Sequence, residues 1–281
     1  MLKIATFNVN SVKARLPRLL EWLKTSNPDI VCLQELKCEE NAFPFEALLD
    51  AGYNSAVYGQ KTYNGVAILS KYKIEDVVKG LPDLDGNSGI DGGQDLQARY
   101  IEAVISFKGG ALRIASVYVP NGGGDLNEGE RLEDSKKFIY KIKFLQRLRA
   151  HITNISNFDE MQIFAGDYNV ACETIDIFDA KKFEGQILFH PQERQKFREL
   201  LNVGLIDSYR AKYPQNQAFS WWDYRGNSYT QNKGARIDYL LISPNCADKI
   251  IDCDIEDKNV RDQEKASDHC PVCLKILHNH F

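Results

Sequence analysis

The sequence predicts a mixed α/β fold, because short β-rich runs alternate with amphipathic helical patterns along most of its 281 residues. Eight runs have the length and the apolar content of buried strands: LKIATFNV, DIVCLQE, GVAILS, YIEAVISF, LRIASVYVP, MQIFAGDYNV, RIDYLLIS and CPVCLKIL. Hydrophobic residues make up 43% of the chain, which is enough for a sizeable core. No biased linker divides the sequence, so we predict a single domain over residues 1–281.

Three amphipathic helices are predicted between these strands. The first follows Ser11, where leucines recur at the spacing of one helical face. The second covers about 135–152, and its basic side chains, Lys141 among them, are expected on the solvated face. The third begins at Pro191 and is expected to end near Gly204, because glycine adopts the left-handed backbone of a helix end without strain.

Charge and cysteine usage narrow the class of protein. The 35 basic and 39 acidic residues leave a net charge of −4, so any contact with nucleic acid requires a local basic patch. Seven scattered cysteines favour reduced thiols and a cytoplasmic location. Cys270 and Cys273 form a lone C-x-x-C on a predicted strand and are expected to be small buried residues. Apolar runs are far shorter than the ~20 residues of a membrane span, and no signal peptide is evident.

The sequence contains one faint internal repeat. IATFNVN at 4–10 and IFAGDYNV at 163–170 both look like a buried strand that delivers an asparagine at its end. This pattern suggests two similar halves that face each other.

Polar side chains accumulate where the predicted strands end. In α/β proteins such ends converge on ligand clefts. Taken singly, each polar residue is best explained as a turn former or a solvated edge, but six strands show the feature. We therefore predict one site built from these residues: Asn8, Asn10, Gln34, Glu35, Lys37, Tyr118, Asn121, Asp167, Asn169, Asp238, Asp268 and His269.

Asp238 lies inside an apolar run, and its burial without a partner would cost several kcal/mol. We predict that His269 is that partner. A serine hydrolase relay is excluded, because the adjacent Ser267, Asp268 and His269 cannot fold back on one another.

The donor types indicate the chemistry of the site. Carboxylates without clustered histidine or cysteine suit Mg²⁺ or Mn²⁺ better than zinc. Asn8, Asn169 and Tyr118 are neutral donors for phosphate oxygens or water. No phosphate-binding glycine loop is present. The residues therefore predict metal-assisted attack of water on a phosphodiester or phosphomonoester.

The sequence resembles the exonuclease III family of apurinic/apyrimidinic endonucleases over nearly its whole length. The motifs that carry the resemblance occur in family order: TFNVNSVKARL, PDIVCLQELK, YNGVAILSK, VYVPNG, AGDYNV, FSWWDYR, RIDYLLIS and SDHCPV. The last motif alone would also fit DNase I, inositol polyphosphate phosphatases and sphingomyelinases. The resemblance implies a four-layer α/β/β/α sandwich, in which helices flank two facing mixed β-sheets (DNase I-like), with the site at one end.

The resemblance also implies roles for individual residues. The implied metal-binding residues are Glu35, Asn10, Asp268 and Asp167. The implied catalytic residues are Asp167, Asn169, Tyr118, His269, Asp238 and Asn8. In this scheme Asp167 activates water, and His269, oriented by Asp238, donates to a phosphate oxygen while Asn169, Tyr118 and Asn8 complete the phosphate pocket.

Substrate contacts are implied for a third group: Phe219, Trp221, Trp222, Asn121, Arg225, Lys37 and Arg15. Some of these aromatic rings would line a pocket for a sugar that lacks its base, while the alternative that one or two of them belong to the core stays open. Lys37 would also support Glu35. Lys13 and Lys233 would add to the grip on DNA phosphates. At two positions the chain departs from some relatives: Asn10 is found where they have an aspartate, and Asn121 where they have a glutamine.

The expected function is Mg²⁺-dependent cleavage of double-stranded DNA 5′ to abasic sites, with Mn²⁺ able to replace Mg²⁺ and with 3′–5′ exonuclease and trimming of damaged 3′ ends. The protein is expected to act as a monomer and without a membrane. Two alternatives stay open: a phosphatase or sphingomyelinase of the same superfamily, and a DNA-binding module without activity.

Overall fold

A computed structural model describes residues 1–82, 86–124, 126, 129–156, 160–256 and 258–277. Twelve strands in the described residues form two six-stranded sheets. The first sheet has, in spatial order, the strands β11 (Ile250–Ile255), β12 (Val272–Ile276), β1 (Leu2–Asn8), β2 (Ile30–Gln34), β4 (Val66–Ser70) and β3 (Asn54–Tyr58). The second sheet has β5 (Lys73–Lys79), β6 (Tyr100–Phe107), β7 (Gly110–Tyr118), β8 (Met161–Asp167), β10 (Asp238–Ile242) and β9 (Ile206–Asp207).

Helices connect these strands and cover the sheets. They are α1 (Val12–Ser26), α2 (Phe45–Asp50), α3 (Lys136–Ile155), α4 (Ala180–Phe183), α5 (Pro191–Leu201), α6 (Ser208–Lys212), α7 (Pro244–Ala247) and α8 (Lys258–Arg261). Short 3₁₀ turns occur at Glu40–Ala42, Leu132–Asp134, Thr174–Asp176 and Arg225–Asn227. Within the described ranges, no helix combines the length and the apolar character needed to cross a bilayer.

The layers follow from the two faces of each strand. Side chains alternate along a strand, so Ile4 of β1 points into the core between the sheets, whereas Ala5 packs outward beneath α1. In the second sheet, Ile163 of β8 faces the same central core and Phe164 packs outward beneath α3 and α5. The order helix, sheet, sheet, helix confirms the predicted four-layer sandwich.

The two segments of the internal repeat form strands in equivalent positions of the two sheets. In the first sheet β1 pairs in parallel with β2 and antiparallel with β12. In the second sheet β8 pairs in parallel with β7 and antiparallel with β10. The two repeats therefore lie at matching inner positions of sheets that face each other.

The predicted elements hold with small shifts in their bounds, but four strands were missed. The strands β3, β5, β9 and β11 either are short or lie at sheet edges, where exposed polar residues interrupt the apolar pattern. α5 ends at Leu201, and Gly204 adopts a φ of 107° just beyond it. Cys270 and Cys273 are buried free thiols, as expected. In the glycine-rich stretches 81–95 and 120–130, residues 83–85, 125, 127 and 128 lie outside the described residues.

Gly166 offers a test of the close approach between β7 and β8. A Cβ at this position would lie 1.9 Å from the carbonyl oxygen of Val117, its partner in the parallel pair. We expect Gly166→Ala to lower the free energy of unfolding by about 3 kcal/mol or more, because backbone has to move. Urea unfolding measures this loss. Gly52→Asn, in an exposed turn with open space around it, meets no clash but has a left-handed φ of 90°, so it should cost only about 1 kcal/mol of backbone strain. Equal stability of the two variants would contradict the predicted clash.

Candidate active site

The strand register brings six polar segments to one end of the sandwich. Asn8 is the last residue of β1, and Glu35 directly follows β2, which runs parallel to β1. Tyr118 and Asp167 are paired at the ends of β7 and β8. The antiparallel neighbours β10 and β12 contribute their beginnings instead, with Asp238 opposite Asp167 and His269 just before β12. The predicted convergence is therefore present in the structure.

Asn8 joins the two sheets at the centre of this site. Its side chain is fully buried, and its Nδ2 donates to Oε1 of Glu35 at 2.9 Å and to Oδ2 of Asp167 at 3.0 Å. Two carboxylates from different sheets thus share one amide donor. The hydroxyl of Tyr118 donates to the same Oε1 of Glu35 at 3.0 Å.

Lys37 balances the charge of Glu35. Its Nζ lies 2.8 Å from Oε2 of Glu35 and donates to Oδ1 of Asn10 at 2.5 Å. Burial opposes ionisation of Glu35, but the hydrogen bonds from Asn8 and Lys37 and the lysine charge outweigh it and lower the pKa of Glu35. Glu35 is therefore an ionised carboxylate at neutral pH.

Asp167 has the opposite balance. Burial, together with the nearby charges of Asp238 and Glu35, raises the pKa of Asp167 although the charge of His269 favours ionisation. Its Oδ1 accepts the backbone N–H of Asn169 at 2.9 Å, and the side chain of Asn169 donates to Oδ2 at 3.3 Å. Asn121 in turn donates to Oδ1 of Asn169 at 3.1 Å. The carboxylate is fixed in position and is a good proton acceptor.

The predicted pair of Asp238 and His269 is formed. Nδ1 of His269 lies 2.9 Å from Oδ2 of Asp238, and Ser220 donates to the same oxygen at 2.6 Å. Burial works against a charged ring, but the charges of Asp238 and Asp167 outweigh it and raise the pKa of His269 to about 10. Nε2 of the resulting imidazolium lies 3.7 Å from Oδ2 of Asp167 and remains directed at the cleft.

Asp268 and Asn10 form the outer part of the site. Nδ2 of Asn10 donates to Oδ1 of Asp268 at 2.8 Å, and the indole of Trp221 donates to Oδ2 at 3.0 Å. Asn10 contacts Lys37 and Asp268 rather than Glu35 itself.

The loops of the site use strained backbone. Four of the predicted site residues have left-handed φ angles: Asn10 at 46°, Glu35 at 53°, Lys37 at 53° and Asn169 at 50°. Backbone hydrogen bonds hold them, among them Ser11 N–H to the carbonyl of Glu35 at 2.7 Å. Such conformations persist where the surroundings over-determine them, and they aim these side chains at one point.

The site fits a hard divalent cation. Ligand atoms of Glu35, Asp167 and His269 lie within 4.8 Å of one another. A protonated His269 cannot ligate, so the oxygen donors are the carboxylates of Glu35 and Asp167. Glu35, Asp167, Asp238 and Asp268 place four carboxylates here, and Lys37 and His269 are the cations that pair with three of them. The negative charge favours a cation, and the carboxylate oxygens suit a hard cation better than zinc.

The cleft beside these groups has a volume of about 730 Å³. Trp221 lines it, as predicted for a substrate contact. Phe219 and Trp222 do not: they are buried in a small core with Tyr229, whose ring centroid lies 5.1 Å from that of Trp222. For Phe219 and Trp222 the alternative of core residues applies and the implied substrate contact does not, because the extended backbone around 220–222 alternates side chains between cleft and core.

The apolar wall comes instead from residues that sequence reasoning missed. Phe178, Phe183 and Leu188 lie in the connection between β8 and α5, and Ile237 directly precedes Asp238. The signal was the cluster of apolar residues in TIDIFDAKKFEGQILF, which matches neither a strand nor a helix pattern.

Basic residues surround the cleft. Arg225 and Lys233 line it, as does Lys182, which was not predicted. The side chain of Arg225 is 90% exposed and pairs with Asp223. Arg15 lies further out and donates from Nη2 to the hydroxyl of Tyr224 at 3.1 Å. Lys13 is exposed on α1 and is not among the residues that line the cleft.

Lys141 contradicts the prediction of a solvated side chain. It is fully buried, and its Nζ lies 2.5 Å from Oε1 of Glu193. The same ammonium group donates to the backbone carbonyls of Asn121 at 3.0 Å and Asn169 at 2.6 Å. Lys141 therefore joins α3, the start of α5 and two loops of the site. Burial lowers the pKa of Lys141, because it disfavours the charged ammonium group. The three oxygen acceptors compensate for part of this cost.

Comparison with known proteins agrees with the geometry. The model of the Endonuclease/Exonuclease/phosphatase family matches residues 5–269. Exodeoxyribonuclease III from Haemophilus influenzae is 32% identical over 278 residues, which are 96% of this chain and 98% of that protein.

Two solved structures extend the similarity to the fold. An AP endonuclease from Archaeoglobus fulgidus is 34% identical, with a TM-score of 0.87 and coverage of 98% of this chain and 99% of that one. A 3′ phosphatase from Neisseria, solved with a product DNA hairpin, is 36% identical, with a TM-score of 0.88 and the same coverage.

Lys141 allows a test of how the site loops are supported. We expect Lys141→Met to reduce the free energy of unfolding by about 3–5 kcal/mol, because it leaves the Glu193 carboxylate buried without its partner. Chemical denaturation measures this change. Lys143→Met, on the exposed side of the same helix, is the matched control and should stay within about 0.5 kcal/mol of the parent.

Replacing both partners, in Lys141→Met with Glu193→Leu, should recover part of the lost stability because no unpaired buried charge remains. If Lys141→Met is as stable as Lys143→Met, the supporting role of the ammonium group is wrong.

Proposed function

The chain belongs to the endonuclease/exonuclease/phosphatase family, as its motifs predict, and we propose that it is a Mg²⁺-dependent DNA repair nuclease. Its reaction would be hydrolysis of the phosphodiester on the 5′ side of an abasic site in duplex DNA, leaving a 3′-hydroxyl. The observation that carries this proposal is the meeting of Glu35, Asp167 and His269 within 4.8 Å at the base of one cleft.

Glu35 and Asp167 would hold the metal ion through carboxylate oxygens. When bound, the ion would supply Lewis-acid polarisation of the scissile phosphate. Asn10 and Asp268, which are hydrogen-bonded to each other, would provide further oxygen donors at the outer edge of the site. Mn²⁺ shares this preference for oxygen and would replace Mg²⁺.

The residues of the chain divide the proton chemistry between them. Asp167 would take a proton from the attacking water, because burial has made its carboxylate more basic than an exposed one. His269 would donate from Nε2 to a phosphate oxygen while Asp238 holds its Nδ1. Tyr118 stays neutral, since burial and the charge of Glu35 raise its pKa, and its hydroxyl would orient Glu35. The amide of Asn169 would contact the phosphate beside Asp167.

Selection of an abasic nucleotide would depend on the apolar side of the cleft. Trp221, Phe178 and Ile237 provide a surface for a sugar without its base. Asn121, Arg225 and Lys233 lie at the opening, where they would contact the DNA backbone. A 3′ end would reach the same phosphate site, so 3′–5′ exonuclease activity and trimming of damaged ends are part of the proposal. The similar Neisseria structure is described as a 3′ phosphatase.

We also propose that residues 1–281 act as one catalytic domain and as a cytoplasmic monomer. All seven cysteines are buried free thiols, which suits a reducing compartment.

Asp167→Asn tests the proposed proton acceptor. The amide keeps an oxygen for the N–H of Asn169 but cannot take a proton, so we expect the single-turnover rate on an abasic duplex to fall about 10²–10⁴-fold. Cleavage is measured at saturating Mg²⁺, and chelator should abolish it in the parent protein. Asp91→Asn, at an exposed position, is the control and should cleave normally.

Normal cleavage by Asp167→Asn would refute the role of this carboxylate. Turnover of a phosphoinositide by the parent, with abasic DNA left intact, would favour the phosphatase alternative. Tight binding of intact abasic DNA after prolonged incubation with Mg²⁺ would favour a binding module.

Trp221→Ala tests the apolar wall. Removing the indole should reduce the preference for abasic over intact duplex by about tenfold or more, since the pocket loses its largest ring. The ratio of kcat/KM for the two substrates measures this preference. Trp221→Phe keeps a ring but loses the N–H donated to Asp268, so it separates the wall from that hydrogen bond. Tyr63→Ala is an exposed aromatic control. An unchanged ratio in Trp221→Ala would exclude the indole from substrate selection.

A further inference from the structure

A second, smaller pocket lies beside the active-site cleft, between the start of α1 and the segment that precedes His269. Its volume is about 350 Å³. Three of its lining side chains are basic, namely Arg15, Arg261 and Lys265, and none of the described lining residues is acidic. In a chain with a net charge of −4, such a concentration of cations points to an anionic ligand.

Two buried donors in this pocket lack acceptors. The Nε atoms of Arg15 and Arg261 are shielded from solvent and have no hydrogen-bond partner among the described residues. Buried N–H groups are nearly always paired, and leaving one unpaired is unfavourable. Both side chains also line the pocket, and guanidinium groups match phosphate oxygens in geometry and charge.

The guanidinium groups are held in place before any ligand binds. Nη1 of Arg261 donates to the carbonyl of Ser267, and its guanidinium lies over the ring of Tyr224 at 5.5 Å from the centroid. Nη2 of Arg15 donates to the hydroxyl of Tyr224 at 3.1 Å. Lys265 is exposed at the opening and has a left-handed φ of 58°. A site with its donors fixed in this way loses little entropy when it binds.

Tyr224 separates this pocket from the candidate metal site. Its hydroxyl donates to the carbonyl of Ala266 at 2.8 Å and accepts from Nδ2 of Asn10 at 3.4 Å. The same Nδ2 donates to Asp268 at 2.8 Å. The two sites are thus adjacent, separated by the side chain of Tyr224 and joined by this chain of hydrogen bonds.

We propose that the pocket of Arg15, Arg261 and Lys265 binds a backbone phosphate of the DNA that flanks the phosphodiester being cleaved. This inference rests on the proposed nuclease function and adds a specific anchoring site to it. The anchor would fix the position of the strand in the cleft without reading its sequence. Free inorganic phosphate shares the same chemistry and is the competing source of the ligand.

Lys265→Gln is the principal test, because the side chain is exposed and its loss leaves the fold intact. Binding to a duplex with a non-cleavable abasic analogue is measured in chelator over a range of KCl concentrations. We expect weaker binding at low salt and a slope of log K against log[KCl] that is smaller by about 0.9, as for one lost phosphate contact. Arg261→Lys, which keeps the charge but loses the planar fork, should weaken binding with little change in slope. Lys143→Gln is a charge-matched control on α3 and should bind like the parent.

Single methylphosphonate substitutions identify the phosphate. One neutral linkage near the abasic site should weaken binding by the parent and have no further effect on Lys265→Gln. An identical methylphosphonate profile in both proteins, or an unchanged salt slope, would overturn the proposal. If Lys265→Gln instead escapes inhibition by inorganic phosphate but binds DNA normally, the pocket belongs to free phosphate and the DNA anchor is wrong.

The outcomes separate this inference from the proposed function. A parent protein that fails to cleave abasic duplex would remove the nuclease function itself. A parent that cleaves, with Lys265→Gln and Arg261→Lys binding as it does, would remove only the anchoring site.

Discussion

The site depends on two carboxylates held against one amide. Glu35 comes from the first sheet and Asp167 from the second, and Nδ2 of Asn8 donates to both. Like charges this close repel each other strongly where water is excluded, so the arrangement requires compensation. Lys37 on one side and His269 on the other provide it, and His269 stays charged because the carboxylates of Asp238 and Asp167 lie beside it. A metal ion would complete the same balance of charge, which is why the cleft is built as a cation site.

The strands β1 and β8 end in the same type of turn. The side chain of Asn8 accepts the N–H of Asn10 at 3.0 Å, and that of Asp167 accepts the N–H of Asn169 at 2.9 Å. In each case the residue two positions on is left-handed. An Asn or Asp side chain that binds the backbone two residues further on stabilises this turn. The internal repeat in the sequence therefore corresponds to a repeated turn in the structure. The strand ends were predictable because this turn depends on local side chains. The pair of Asp238 with His269 was predictable because a buried charge requires a partner.

Other features could not be read from local patterns. Lys141 lies among the basic residues of α3, and its burial is tolerable because Glu193, 52 positions away in the sequence, and two backbone carbonyls accept its hydrogen bonds. A helical pattern cannot distinguish a solvated lysine from one whose partner is contributed by another helix. Local patterns also cannot tell whether Trp221 or Trp222 faces the cleft. The ring that does so is set by the pairing of Trp221 with Ala235 and His269. The missed apolar wall and the missed edge strands have a similar cause: their positions are set by tertiary packing rather than by periodicity.

The distribution of charge reconciles an acidic protein with a polyanionic substrate. The base of the cleft has an excess of carboxylates, which would repel a phosphodiester that approached alone. Lys182, Arg225 and Lys233 at the cleft, and the pocket of Arg15, Arg261 and Lys265 beside it, surround that base with positive charge. A strand would thus be attracted to the rim, while its phosphate could enter the centre only when a cation already neutralised Glu35 and Asp167. In this arrangement the rim would confer affinity, and the acidic base would make occupancy of the reaction centre conditional on the metal. Binding of DNA and readiness for hydrolysis would then be controlled by different residues.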